Sequence, residues 1–167
     1  MSAPQTAAER FASDFQTGYS ELPASRRFTP EQLEVIYALA YSHARQQQWS
    51  QALPIFAFLS QYGPTRRHYL AGLAQSLQML KRLEEAVLIY SLMLVLFPDQ
   101  LEPSIHVAQC QLAQGDRDSA VATLSQLDSA LEDDAPLKQR TRALLEQLQK
   151  PQSASSPASA RMPIDAS

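Results

Sequence analysis

The side chains of this 167-residue sequence that could support catalysis or bind a metal are few: His43, His68, His106, Cys110 and the acidic run Glu132-Asp133-Asp134. No two of the histidines stand one helical turn apart, the spacing at which a helix presents two imidazoles to one zinc ion. His43 and His106 are expected to pack between helices, and His68 to donate to a bound peptide. Cys110 stands among valine, alanine and leucine, a setting for a buried thiol rather than an activated nucleophile. The acidic run reads as a solvated turn with a helix cap. With four glycines in the chain, no phosphate-binding glycine loop occurs. Nothing here supports an enzyme, a metal site or a cofactor, and the expectation is a protein that grips another.

A gripping surface needs a scaffold, and the scaffold is written as a repeat. Ala40, Ala74 and Ala108 are 34 residues apart, and so are Ala52, Ala86 and Ala120; that period is the length of a tetratricopeptide helix-turn-helix unit. Placing the alanines at the eighth and twentieth places of each unit sets the units at 33–66, 67–100 and 101–134. At those places two antiparallel helices cross most closely, and only a small side chain fits. Larger core residues share the register: Ile36, Leu70 and the exception Ser104 at place four, Leu39, Leu73 and Val107 at place seven, and Phe56, Tyr90 and Leu124 at place twenty-four.

Punctuation agrees with these units. Pro64 and Pro98 end the first two, where proline cannot extend a helix. The run Thr29-Pro30-Glu31-Gln32 is a capping box with a first-turn proline, and Asp99 to Glu102 is expected to repeat that logic. Pro54 should fall near the first turn of a helix starting around Ser50. Gly115-Asp116 makes the tight turn inside the third unit, but Gln47 and Lys81 hold the equivalent places in the first two, so those turns are expected to use another geometry.

The expected fold is all-α: three tetratricopeptide helix pairs in a short right-handed superhelix, with an N-terminal helical region over 1–29 and a capping helix that completes a domain over 30–150. In the N-terminal region Phe11, Phe15 and Tyr19 line one helical face, fit either for homodimer formation or for packing on the first unit. Leu137, Leu144, Leu145 and Leu148 form the inner stripe of the capping helix, with Lys138, Gln139, Arg140, Arg142 and Glu146 expected to face outward. Residues 151–167 lack periodic hydrophobes and are expected to be disordered. A net charge of -3 and an isoelectric point near 5.6 provide no basic field for nucleic acid. No stretch reaches the roughly 18 apolar residues of a membrane span, so no stable membrane insertion is expected. A lone cysteine and no export pattern suggest a reducing cytoplasm.

In stacked helix pairs the first helices form a concave wall, faced by places two, five, nine and twelve. These are Glu34, Tyr37, Tyr41 and Ala44; His68, Ala71, Gln75 and Gln78; then Glu102, Ile105, Gln109 and Leu112. Apolar and aromatic at one end and amide-bearing in the middle, such a wall suits an extended peptide with a few hydrophobic anchors. The simpler alternative is that Tyr37 and Tyr41 complete the core against the N-terminal helix. Lysine, asparagine and arginine, which a tetratricopeptide clamp for a terminal carboxylate would need, are missing from these places.

The stretches Tyr37-Ala-Leu-Ala-Tyr41, Gln48-Trp49-Ser-Gln-Ala52, Tyr69-Leu-Ala-Gly72-Leu-Ala and Glu102-Pro103-Ser-Ile-His106-Val-Ala-Gln-Cys110 resemble the class II type III secretion translocator chaperones. The similarity spans roughly residues 30–134, most specifically in the third unit. It implies a bacterial cytoplasmic chaperone that holds hydrophobic translocator proteins before export, gripping an extended segment in the groove without nucleotide. It places Tyr37 and Tyr41 in that groove and implies self-association through the N-terminal region. Ala44 stands where some members carry a further aromatic, which implies a roomier pocket. A generic tetratricopeptide adaptor joining two folded proteins is the alternative.

Overall fold

The computed structural model describes residues 27–133 and 135–150; the expectations for Phe11, Phe15 and Tyr19 and for 151–167 lie outside the described residues. These form seven helices and no strand: α1 Pro30–Arg45, α2 Trp49–Tyr62, α3 Arg67–Met79, α4 Leu83–Leu96, α5 Pro103–Ala113, α6 Arg117–Ala130 and α7 Pro136–Gln149. Each helix packs on the next along the chain, so the pairs α1–α2, α3–α4 and α5–α6 stack in sequence order, as expected of a repeat array.

All six register alanines are at most 1% exposed. Between them lie three apolar clusters. The first joins α1 and α2 around Phe56 and Leu59 and takes in Tyr69 from α3; the second centres on Leu70, Tyr90 and Met93; the third on Ile105, Leu124 and Leu127. Leu73 packs against both of the first two, bridging the seam. Gly72 marks the tightest approach, because a Cβ there would lie 2.2 Å from the Phe56 ring. Leu39, expected in the core at the same place as Leu73, is instead 53% exposed. Leu73 and Val107 are covered by the pair before them, and among the described residues no helix precedes α1.

The turns inside the units share one geometry, contrary to expectation. Gln47, Lys81 and Gly115 have φ of 60°, 63° and 85°. The following amides, of Gln48, Arg82 and Asp116, each donate 2.9 Å bonds to the carbonyls of His43, Leu77 and Gln111. This is the Schellman closure, a left-handed residue with a six-to-one bond, built three times with glycine in only one copy.

Among the caps, Thr29 and Gln32 form the reciprocal box at 3.3 and 2.9 Å, and Asp116 accepts from the Ser119 amide at 3.0 Å. Asp99 does not cap: α5 starts at Glu102 and Pro103 without a side-chain bond. Nor does the acidic run cap α7, whose N-cap is Ala135. Pro54 sits inside α2, past the first turn, on its exposed side, where water can satisfy the freed carbonyl.

On α7 the four leucines pack on the third cluster. Lys138, expected outside, is 8% exposed. Its ammonium donates to the Leu131 carbonyl at 2.7 Å and pairs with Asp133 at 3.0 Å, so the buried charge is matched as burial requires.

Candidate peptide-binding groove

Helices α1, α3 and α5 form the wall, and its first half is aromatic. Tyr37 stacks on Tyr41 with ring centroids 6.0 Å apart at 24°. It meets His68 edge-on at 4.7 Å and reaches Phe56 at 6.0 Å and Tyr69 at 5.7 Å. Tyr37 is thus half-buried, whereas Tyr41 is 51% exposed and presents a ring face to solvent on a fixed backing. Burial, together with Tyr41 and Glu34, pushes the Tyr37 phenol pKa up.

Behind the aromatics sits a polar knot that the sequence reading did not single out. One carboxylate oxygen of Glu34 accepts from the Tyr69 hydroxyl at 2.8 Å and from Arg66 at 2.9 Å, with the His68 Nε2 at 3.2 Å. Partial burial works against the Glu34 charge, but the Tyr69 and His68 bonds and the Arg66 charge outweigh it and hold its pKa below the usual carboxylate value. His68 is therefore engaged within the chain rather than waiting for a peptide. A tyrosine 34 residues after Val35 carried no signal of this knot; a wall glutamate opposite Arg66 was the available clue.

The middle of the wall is amide-rich, and part of it is already used. Gln78 accepts from the Tyr90 hydroxyl at 2.9 Å and donates to Gln109 at 3.4 Å, while Gln75 is exposed. Ala44, Ala71 and Leu112 are half-buried against the apolar clusters. Ile105 is a correction: at 1% exposure it belongs to the third cluster, not to the groove surface. Place five points into the seam between successive first helices, so a long tyrosine emerges from it and an isoleucine is covered.

Between α3 and α5 the wall opens into a pocket of about 260 Å³. Tyr90 and Met93 of α4 form its floor, His106 and Pro103 one side, and Arg67, Glu102 and Arg140 its rim. Arg67 bonds Glu102 at 2.7 Å. The His106 ring stacks on Tyr90 at 4.9 Å and 12°, and its buried Nδ1 has no partner among the described residues. Burial lowers the His106 pKa and Arg140 adds to this, against opposing effects of Gln109 and Glu102.

Glu102, the N-cap of α5, and His106 and Cys110 within it recur at four-residue spacing, but Glu102 is committed to Arg67, His106 lies on Tyr90, and Cys110 is fully buried with its thiol pKa raised by that burial. Among the described residues no three potential metal ligands converge, and no helix is long and apolar enough to cross a membrane.

Residues 33–64 and 106–129 match tetratricopeptide repeat models. No curated protein matches the sequence. Among solved structures, PcrH from Pseudomonas aeruginosa is 27% identical with a TM-score of 0.66, over 77% of this chain and 100% of that one. PcrH in complex with the chaperone binding region of PopD is 28% identical with a TM-score of 0.65, over 74% of this chain and 95% of that one. The Yersinia enterocolitica type III secretion chaperone SycD, in complex with a peptide of the translocator YopD, has the same fold at 21% identity and a TM-score of 0.66, over 74% of this chain and 96% of that one. Repeat, helix order and these likenesses agree: the chain has the tetratricopeptide fold and is similar to the chaperones of type III secretion translocators.

Proposed function

We propose that this protein is a bacterial cytoplasmic chaperone that holds an extended segment of a hydrophobic type III secretion translocator on the α1–α3–α5 wall and so keeps it from aggregating before export. The observation that carries the reading is the half-exposed Tyr41 ring, backed by Tyr37 and the Glu34 knot. A large rigid apolar face fixed on a repeat scaffold is an anchor site for a peptide side chain. PcrH, the relative described above, is seen bound to the chaperone binding regions of PopD and PopB. Self-association through Phe11, Phe15 and Tyr19 is part of the same proposal.

Co-expression with a translocator from the same bacterium tests it. The wild-type chain should raise the translocator's soluble fraction, and a folded Tyr41→Ala variant should lose most of that gain. Undiminished solubilisation by the folded variant would falsify the assignment of the aromatic ledge.

A further inference from the structure

The pocket between α3 and α5 has a composition that the aromatic half of the wall lacks. Its floor is apolar and deep, Tyr90 and Met93 each being 3% exposed. Its rim carries two arginines and one glutamate. Arg67 is neutralised by Glu102 at 2.7 Å, whereas no carboxylate among the described residues pairs with Arg140. Among the described residues, one positive charge without a carboxylate partner therefore overhangs an apolar floor. At about 260 Å³ the space is below the roughly 300 Å³ at which small-ligand pockets begin, a size for one or two side chains. The Glu102 carboxylate disfavours a doubly charged group such as a phosphate, and Arg140 disfavours a lysine or arginine. A single carboxylate matches the balance.

We propose that this pocket is a second specificity site of the groove: it seats a bulky apolar side chain of the bound segment on Tyr90, Met93 and the His106 ring, and a neighbouring aspartate or glutamate of that segment on Arg140. The proposal rests on the reading of the wall as a peptide groove. It adds a sequence preference that the exposed Tyr41 ring alone cannot impose, because an aromatic face accepts any apolar group. Gln75, on the rim of the same pocket, supplies an amide for the segment's backbone.

Selection of a displayed library of random twelve-residue peptides on the purified full chain tests the pocket, using wild type, Arg140→Lys and Arg140→Glu. Arg140 is exposed on α7, so both variants should keep the wild-type circular dichroism. Wild type and Arg140→Lys should enrich aspartate or glutamate within two positions of a bulky apolar residue by about fivefold over the unselected library. Arg140→Glu should lose that bias and enrich lysine or arginine instead. Selected peptides without acidic bias, or with the same bias in Arg140→Glu, overturn the pocket while leaving the groove standing. Failure to select any peptide overturns the groove reading and the pocket with it. Acidic bias that appears only after deletion of 151–167, which contains Ile164-Asp165, would assign the pocket to the chain's own tail and overturn its assignment to a partner.

Discussion

The Tyr69 hydroxyl donates a 2.8 Å bond to the Glu34 carboxylate and so ties a fully buried side chain of α3 to the exposed edge of α1. Tyr69→Phe should cost about 1.5 kcal/mol in urea unfolding, the low end for a bond to a charged acceptor, because Glu34 keeps Arg66 and solvent. Burial and the Glu34 bond push the Tyr69 pKa from 10.0 up to about 12. A phenol is charged only after losing its proton, so the native state holds this proton longer than the unfolded chain does. The associated stability is present below pH 10 and is lost as pH rises from there towards about 12. Unfolding measured at pH 9 and 11 should show this decline, and it should be shallower in Tyr69→Phe.

Gln47→Gly and Lys81→Gly should each stabilise the protein, because both residues sit at φ near 60°, where a Cβ is strained and glycine is not. We expect a gain of about 0.5–1 kcal/mol for each after the added freedom of the unfolded chain is counted, or roughly 3 °C in melting temperature. Gly115→Ala should lower stability by a similar amount, since that site has open space but a φ of 85°. A loss of stability in both glycine variants would contradict the shared turn geometry.

Gly72→Ala should destabilise by about 1–3 kcal/mol, the range for overpacking. The added methyl meets the Phe56 ring at 2.2 Å, and Phe56 has nowhere to go at 2% exposure. Because Phe56 also touches Tyr37, the displacement reaches the groove. Near-ultraviolet circular dichroism, which reports aromatic packing, should change in this variant more than in Gly115→Ala.

Tyr37 and Tyr41 should separate into a supporting and a contacting residue. Tyr41→Ala should leave unfolding within about 0.5 kcal/mol of wild type, as for an exposed site, while weakening peptide capture. Tyr37→Ala should cost about 2 kcal/mol, since its ring is held among Phe56, His68 and Tyr69. Equal melting temperatures for the two variants would refute this division of roles.

The parts of the fold legible in the sequence were those set by side-chain size in a fixed register: each alanine at a helix crossing is buried because nothing larger fits. What depended on neighbours was not legible. Leu39 and Leu73 share a repeat place but not a preceding helix pair among the described residues, and one is exposed while the other is packed. Ile105 and Tyr37 share another place, and their lengths decide which reaches the groove. Gln47 and Lys81 lacked the glycine that signals a left-handed turn, yet the repeat imposed that turn on them. The Glu34 knot and the pocket at Arg140 join residues from different units, which periodicity within one unit does not relate.

Arg66 and Arg67 are neighbours that reach in opposite directions, Arg66 back to Glu34 on α1 and Arg67 forward to Glu102 on α5. Both pairs are partly open to water, and such pairs hold with at most about 1 kcal/mol each. The spacing of the three wall helices is therefore set by a soft coupling at their starts and by tight apolar packing deeper in. The array is thus clamped along its apolar cores and only loosely laced at the starts of its wall helices, the arrangement that the proposed capture of segments of differing bulk would call for.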